Sequence, residues 1–484
     1  MGCTKRLGPV RKASIPMPSL RAAAVLLVLA LSGCATATRS ARPGPLEGEG
    51  EVWVYLQPLP RQAERLAFSL ESVAAARAEG GEVPLGLAAA EHAGREPGRQ
   101  RLLATGRLPP GSYTGLLVKF RKATLAGESG ASSLLVPAEP ALLSAPFAVA
   151  RGQALVLQLT LEPGKAVEKD FAFVPAFAAA VPGRPLPELT GLCSVTGAHA
   201  LAVFDKRTRM VTGVAPTGRE PQGLVLDPRG DRVYVALSGE DQVQALDLVT
   251  GAALASIRLQ PGDRPREVGL TPDGRTMVVV NYGSNTASFA DPGALLELNR
   301  VTTGQQPSAL LVDRSGRRAY VFNRGSSSIT VLDLASRSLA ATLATEPEPL
   351  RGALNLAGTR MFVVFAGSPY LVAYSLPDLK VASRVHVGMG ATGVKVDPRT
   401  GLVYVARDQD RLDAYNPLSF LPVYAIDTPG PATTMAVDEA YNALFAVVPG
   451  ERSVAVVDLV NRRPLGAMEV ADEPYQVAVA GERP

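Results

Sequence analysis

The second half of the chain repeats. Pro221-Gln-Gly-Leu-Val-Leu-Asp-Pro-Arg-Gly-Asp-Arg-Val-Tyr-Val-Ala236 is echoed by Pro265-Arg-Glu-Val-Gly-Leu-Thr-Pro-Asp-Gly-Arg-Thr-Met-Val-Val-Val280. The pattern returns at Pro307, Pro349, Ala391, Pro431 and Pro474, so successive anchors lie 44, 42, 42, 42, 40 and 43 residues apart. A unit of this length holds four short strands that cannot bury their faces alone, and radial repetition of such units makes a β-propeller.

Each unit has a physical logic. An apolar inner strand ends in Asp-Pro-x-Gly or a relative, where proline fixes φ and glycine takes the positive φ of a tight turn. A nearly all-apolar second strand suits burial between neighbouring blades. A third strand ends in aspartate, as in Val243-Gln-Ala-Leu-Asp247, Ile329-Thr-Val-Leu-Asp333 and Val454-Ala-Val-Val-Asp458, where a carboxylate can accept backbone N–H bonds of the next turn. Six units are complete. After Pro474 only Tyr475-Gln-Val-Ala-Val-Ala480 remains, while Gly191–Val195, Ala200–Asp205 and Met210–Val214 precede the first unit without an inner strand. Pairing the two remnants predicts a seventh, composite blade that removes two open edges.

Tyr234-Val-Ala-Leu237, Val278-Val-Val-Asn281, Tyr320-Val-Phe-Asn323 and Tyr404-Val-Ala-Arg407 resemble the YVTN-type repeats of bacterial surface and periplasmic propellers. The resemblance implies a propeller over 188–484 and, because function varies widely among such proteins, no activity.

The N-terminus reads differently. Lys5, Arg6, Arg11, Lys12 and Arg21 precede or flank the apolar run Ala22–Leu31, which is too short for a bilayer span and suits an export signal. Leu31-Ser-Gly-Cys34 resembles the lipobox of bacterial lipoproteins, which implies a signal peptide over 1–33 and acylation of Cys34 (palmitate included), with several chains holding the protein to a membrane. By family analogy the alanine after Cys34 points to the outer membrane of a Gram-negative cell envelope. Residues 34–50, small, polar and rich in Pro and Gly, are expected to be a flexible tether. With Cys34 lipidated and Cys3 removed, Cys193 stands alone in a strand-like run and is expected to be a buried thiol.

Between them, 51–180 carries strand-like runs such as Val52–Leu56, Tyr113–Phe120 and Ala154–Leu161, separated by turns at Pro109–Ser112 and Glu162–Lys165. These predict a small β-sandwich, with 86–100 as a polar loop or short helix. Leu108-Pro-Pro-Gly-Ser-Tyr113, the late Leu-Gln-Leu-Thr-Leu161 strand and Phe173-Val-Pro-Ala-Phe177 resemble a domain of unknown function that follows the lipobox in other lipoproteins. The fold class expected is therefore all-β: a sandwich, then a seven-bladed propeller.

The formal charge of +4 is concentrated at the N-terminus: without the five basic residues of 1–33, 44 basic residues face 45 acidic ones. No nucleic-acid partner is expected. In a propeller the loops before the inner strands and those between second and third strands share one face, so Arg219, Arg264, Arg266, Asn281, Asn323, Arg324 and Asp408 form a candidate ligand-binding rim. Several arginines there suit carboxylate, phosphate or glycan groups. Among the inner-strand starts only Glu267 is acidic, the three histidines lack metal spacing, and no catalytic triad, haem motif or phosphate loop is present. No catalytic residue, metal or cofactor is expected. The reading that follows is a lipid-anchored envelope protein whose propeller binds a protein, peptide or glycan. The rival is an enzyme of the propeller lactonase or quinoprotein dehydrogenase kind, with Arg266, Glu267, Asn281 and Asn323 converging on the channel.

Overall fold

The computed structural model describes Gly2 and residues 44–94, 98–127, 130–169 and 171–482. The expected signal peptide, Cys34 and most of the 34–50 tether lie outside the described residues.

From Pro221 to Glu469 six four-stranded antiparallel blades follow in chain order. Blade 1 comprises Pro221–Leu226, Arg232–Leu237, Gln242–Asp247 and Ala253–Arg258, from the channel outward. Its second strand is apolar because both faces meet other blades: Val233, Tyr234, Val235, Ala236 and Leu237 are all buried. The outer strand, facing water, is mostly exposed. Blades 2, 3, 4 and 5 begin at Pro265, Pro307, Pro349 and Ala391. In blade 6 the inner strand is short, Met435–Asp438, and the Thr433 carbonyl packs against Gly393, where a side chain would collide with it.

Blade 7 is composite. Pro474–Val479 pairs antiparallel with Thr190–Val195, followed outward by Ala200–Asp205 and Met210–Pro216. Cys193 pairs with Val477 and has no exposed surface, and burial pushes its thiol far above the usual range. The third-strand aspartates do cap the turns that follow. Asp247 accepts from Thr250 N (2.7 Å), Asp333 from Ser336 N (2.8 Å) and Asp458 from Val460 N (2.9 Å).

The first region is a sandwich of β1 (Gly50–Leu56), β2 (Leu66–Arg77), β3 (Glu82–Leu87), β4 (Glu91–Ala93), β5 (Arg99–Leu108), β6 (Gly111–Gly127), β7 (Gly130–Leu134), β8 (Ala141–Val149) and β9 (Ala154–Leu161). In one layer β1 lies between antiparallel β5 and parallel β9. In the other, β6 lies between β2 and β8, with β7 continuing along its far end. Val52, Val54 and Leu56 meet Phe68, Leu70, Val118 and Phe120 in the core. The Tyr113 hydroxyl donates to the Pro109 carbonyl at 2.8 Å and so pins the Pro-Pro-Gly-Ser turn. The segment expected as a polar loop or helix contains β4 instead, because His92 turns inward onto the Phe68 ring, 5.3 Å between centroids.

Strand alternation gives β1 a second buried face. Trp53 and Tyr55 join Cys193, Phe204, Val211, Phe445 and Met468 of blades 6 and 7 in one apolar cluster. Burying side chains of this size contributes on the order of 2 kcal/mol each. Beside them β5 adds to the outer edge of blade 6, with Arg99 and Gln100 parallel to Ala467 and Met468. The approach requires glycine: a Cβ at Gly466, which has φ +135°, would strike the Gly98 carbonyl. Glu469 accepts from Leu102 N at 3.0 Å and pairs with Arg99 and Arg101, which leaves its buried carboxylate fully engaged.

Candidate functional site

Two ends of the channel differ. At the lower end, where the inner strands finish, residues following Val479 cross beneath neighbouring blades. The Glu482 carboxylate accepts from Val437 N (2.8 Å) in blade 6 and pairs with Lys395 (2.6 Å) in blade 5. Lys206 donates to the Ala480 carbonyl (2.6 Å) and pairs with Asp438 (3.2 Å), both side chains almost without exposure.

At the upper end, where the inner strands start, lies a cavity of ≈ 950 Å³. Its wall is built by the second residue of successive inner strands: Gln222, Arg266, Ser308, Leu350, Thr392 and Tyr475. One register thus supplies one side chain per blade, and in blade 6 Thr434, just before the shortened strand, takes the place. Arg351, one position further along in blade 4, also reaches the cavity.

A polar chain crosses the channel. The Arg351 guanidinium meets Glu267 at 2.5 Å. The Tyr475 hydroxyl donates to Glu267 at 3.4 Å and accepts from Arg266 Nε at 3.0 Å. Blades 4, 2 and 7 are tied in this way. Burial, and then the Glu267 charge, raise the Tyr475 hydroxyl above its ordinary pKa, so it stays a neutral donor. The Arg266 guanidinium also sits over two rings, 5.0 Å from the centre of Tyr282 and 5.8 Å from that of Tyr475, a cation–π arrangement. No carboxylate among the described residues lies within ion-pairing distance of Arg266, and its terminal nitrogens make no hydrogen bond to a described residue.

Of the seven expected rim residues, the structure brings only Arg266 and Arg324 to this cavity. Arg324 stands exposed at the mouth and pairs with Glu348 at 2.7 Å. Arg219, Arg264 and Asp408 are exposed loop residues outside its lining. Asn281 and Asn323 are corrected outright: neither has exposed surface. Each ends a second strand and turns into its own blade, Asn281 Nδ2 donating to Thr286 and Ser288 (3.0 and 2.7 Å), Asn323 Nδ2 to Ser328 and Thr330 (3.2 and 2.9 Å). Tyr475 and Tyr282 were missed. The first had a signal, since it occupies the same inner-strand register as Arg266. Among the described residues no three His, Cys, Asp or Glu side chains gather as a metal site would need.

With this geometry in view, comparison with known proteins is informative about fold. A family model described as lactonase, 7-bladed β-propeller, matches residues 217–366. A functionally unknown protein from Desulfotomaculum acetoxidans superposes with TM-score 0.54 at 13% identity, covering 60% of this chain and 98% of its own. The dihydro-heme d1 dehydrogenase NirN gives TM-score 0.48 at 14% identity over 62% of this chain and 78% of its own. Kuenenia stuttgartiensis hydrazine synthase gives 0.38 at 20% identity over 58% and 77%. No curated protein matches by sequence. The chain carries a propeller with lactonase-type similarity in blades 1 to 3 and the first two strands of blade 4, and at the identities of the solved structures the likeness is one of fold.

Proposed function

We propose that this protein is a cell-envelope binding module, held to a membrane through lipid on Cys34, whose propeller receives its ligand at the upper end of the channel. The observation that carries the reading is the cavity of ≈ 950 Å³, walled by side chains from all seven blades. Its volume lies within the range of ligand sites, and its lining is mostly polar and charged. The sequence Leu31-Ser-Gly-Cys34 supports the anchor. The direct test places a photo-crosslinking residue at Gln306 in the cavity wall and, separately, at Val460 on the opposite side of a blade. An envelope component captured only from position 306, and recovered with the membrane only when Cys34 is present, supports the reading. Equal capture from both positions removes it.

A second reading is favoured by the family match over 217–366: hydrolysis of a lactone in the channel. Glu267 would be its base, yet its carboxylate is 2% exposed and already held by Arg351. Turnover of γ- and δ-lactones that disappears in Glu267→Gln would favour the enzyme. Turnover unaffected by that change, or none, favours the binding module.

A further inference from the structure

Resting on the channel reading above, we propose that Arg266 anchors a carboxylate-binding site and that the ligand is a small sugar acid. Three features converge. The guanidinium is fixed from behind, its Nε engaged by the Tyr475 hydroxyl and its face covered by Tyr282 and Tyr475. What remains is the two-nitrogen edge, whose fork matches the two oxygens of one carboxylate.

The pairing of charges is consistent with this. Arg351 pairs with Glu267, and Arg324 with Glu348. Among the described residues Arg266 has no carboxylate within ion-pairing distance, although Glu267 acts on its charge from farther off and Glu473 lines the same cavity. With these acids close by, a single negative charge fits better than a phosphate dianion, which would call for further donors.

The rest of the wall selects hydroxyl donors. Thr196 Oγ1 gives its proton to the Pro221 carbonyl (2.7 Å), Thr392 to Ala432 (2.5 Å) and Thr434 to Tyr475 (3.0 Å). Their oxygens remain acceptors. Gln222 Oε1 is a further buried acceptor without a partner. A ring of acceptors beside one cation is complementary to a polyhydroxylated carboxylate, and the cavity admits one or two sugar rings.

The test titrates the purified full chain by calorimetry with galacturonate, glucuronate, gluconate and digalacturonate, against galactose and galactose 6-phosphate. Saturable binding of at least one acid, with the neutral sugar and the phosphate tenfold weaker or worse, is expected. Arg266→Met should weaken the acid roughly 10- to 100-fold while the protein still unfolds in one cooperative transition, Arg266→Lys less, and Arg399→Met at the lower end not at all. No saturable binding by any acid, equal binding of galactose, preference for the phosphate, or wild-type affinity in Arg266→Met would each overturn the proposal. If Arg266→Met lost nothing while crosslinking at 306 still captured an envelope partner, the carboxylate site would fail and the binding module would stand. Acid binding with no capture at 306 would leave the reverse.

Discussion

The backbone N–H of Glu220 donates to Nδ1 of His199 at 3.1 Å, across the junction between blades 7 and 1. The same bond recurs around the ring, from Arg264 N to Asp241 (2.7 Å), Gln306 N to Asn285 (2.8 Å) and Glu348 N to Ser327 (3.4 Å). Donor and acceptor residues alike have left-handed backbones, with φ between 46° and 56°. Such conformations cost roughly 1 kcal/mol or more each outside glycine, and the latch helps to hold them. His199 therefore does the work of an aspartate or asparagine, with its proton on Nε2. His199→Ala should lower stability to denaturant by about 1–2 kcal/mol, and His199→Asn should recover most of it. An alanine variant as stable as wild type would show that the latch is incidental.

Below the channel, Lys206 and Asp438 are buried together. Removing one partner strands the other charge, so Lys206→Met should cost about 3 kcal/mol or more. The double change Lys206→Met with Asp438→Leu should cost less than the single one. Thermal unfolding of the three proteins measures this.

Deleting residues 474–482 removes the inner strand of blade 7 together with the Glu482 bridge to blades 5 and 6. The propeller should lose its cooperative transition, whereas Glu482→Gln alone should shift the midpoint by a few degrees. Calorimetry of the truncated chain with an unchanged transition would refute composite closure.

His92 supplies a pH dependence. Burial, then the charge of Arg101, lowers its pKa from 6.5 to about 4. Because the unfolded chain binds the proton more readily, the stabilising effect is complete above pH 6.5 and is lost as pH falls towards 4. The loss amounts to about 3 kcal/mol. His92→Leu should flatten the stability profile between those pH values, which urea midpoints at pH 7, 5.5 and 4 would reveal.

The propeller was readable in the sequence because every blade solves the same burial problem with the same residues. The six-plus-one count followed from strands that lacked partners at either end of the array. Arg266 was readable too, from its place after an inner-strand proline. Asn281 and Asn323 were misread because a polar residue closing an apolar strand resembles a rim residue. The corrective signal lay five and seven residues on, in the hydroxyls of Thr286, Ser288, Ser328 and Thr330. The union of sandwich and propeller had no local signature. Gln100 clasps the Val211 backbone with both ends of its amide, accepting at 2.7 Å and donating at 3.2 Å, and nothing near either residue marks the other. Arg99 and Glu469 meet across 370 positions of chain in the same way.

The composite blade also sets an order of events in time. Thr190–Val195 is translated about 280 residues before Pro474–Val479, its inner neighbour. Until that inner strand arrives, Thr190–Val195 keeps one edge unpaired. Blades 1 to 6 can assemble in the meantime, each against the one before. The ring cannot. A chain that ends within blades 5 or 6 keeps its gap, so a closed circle exists only once the chain through Val479 is in place.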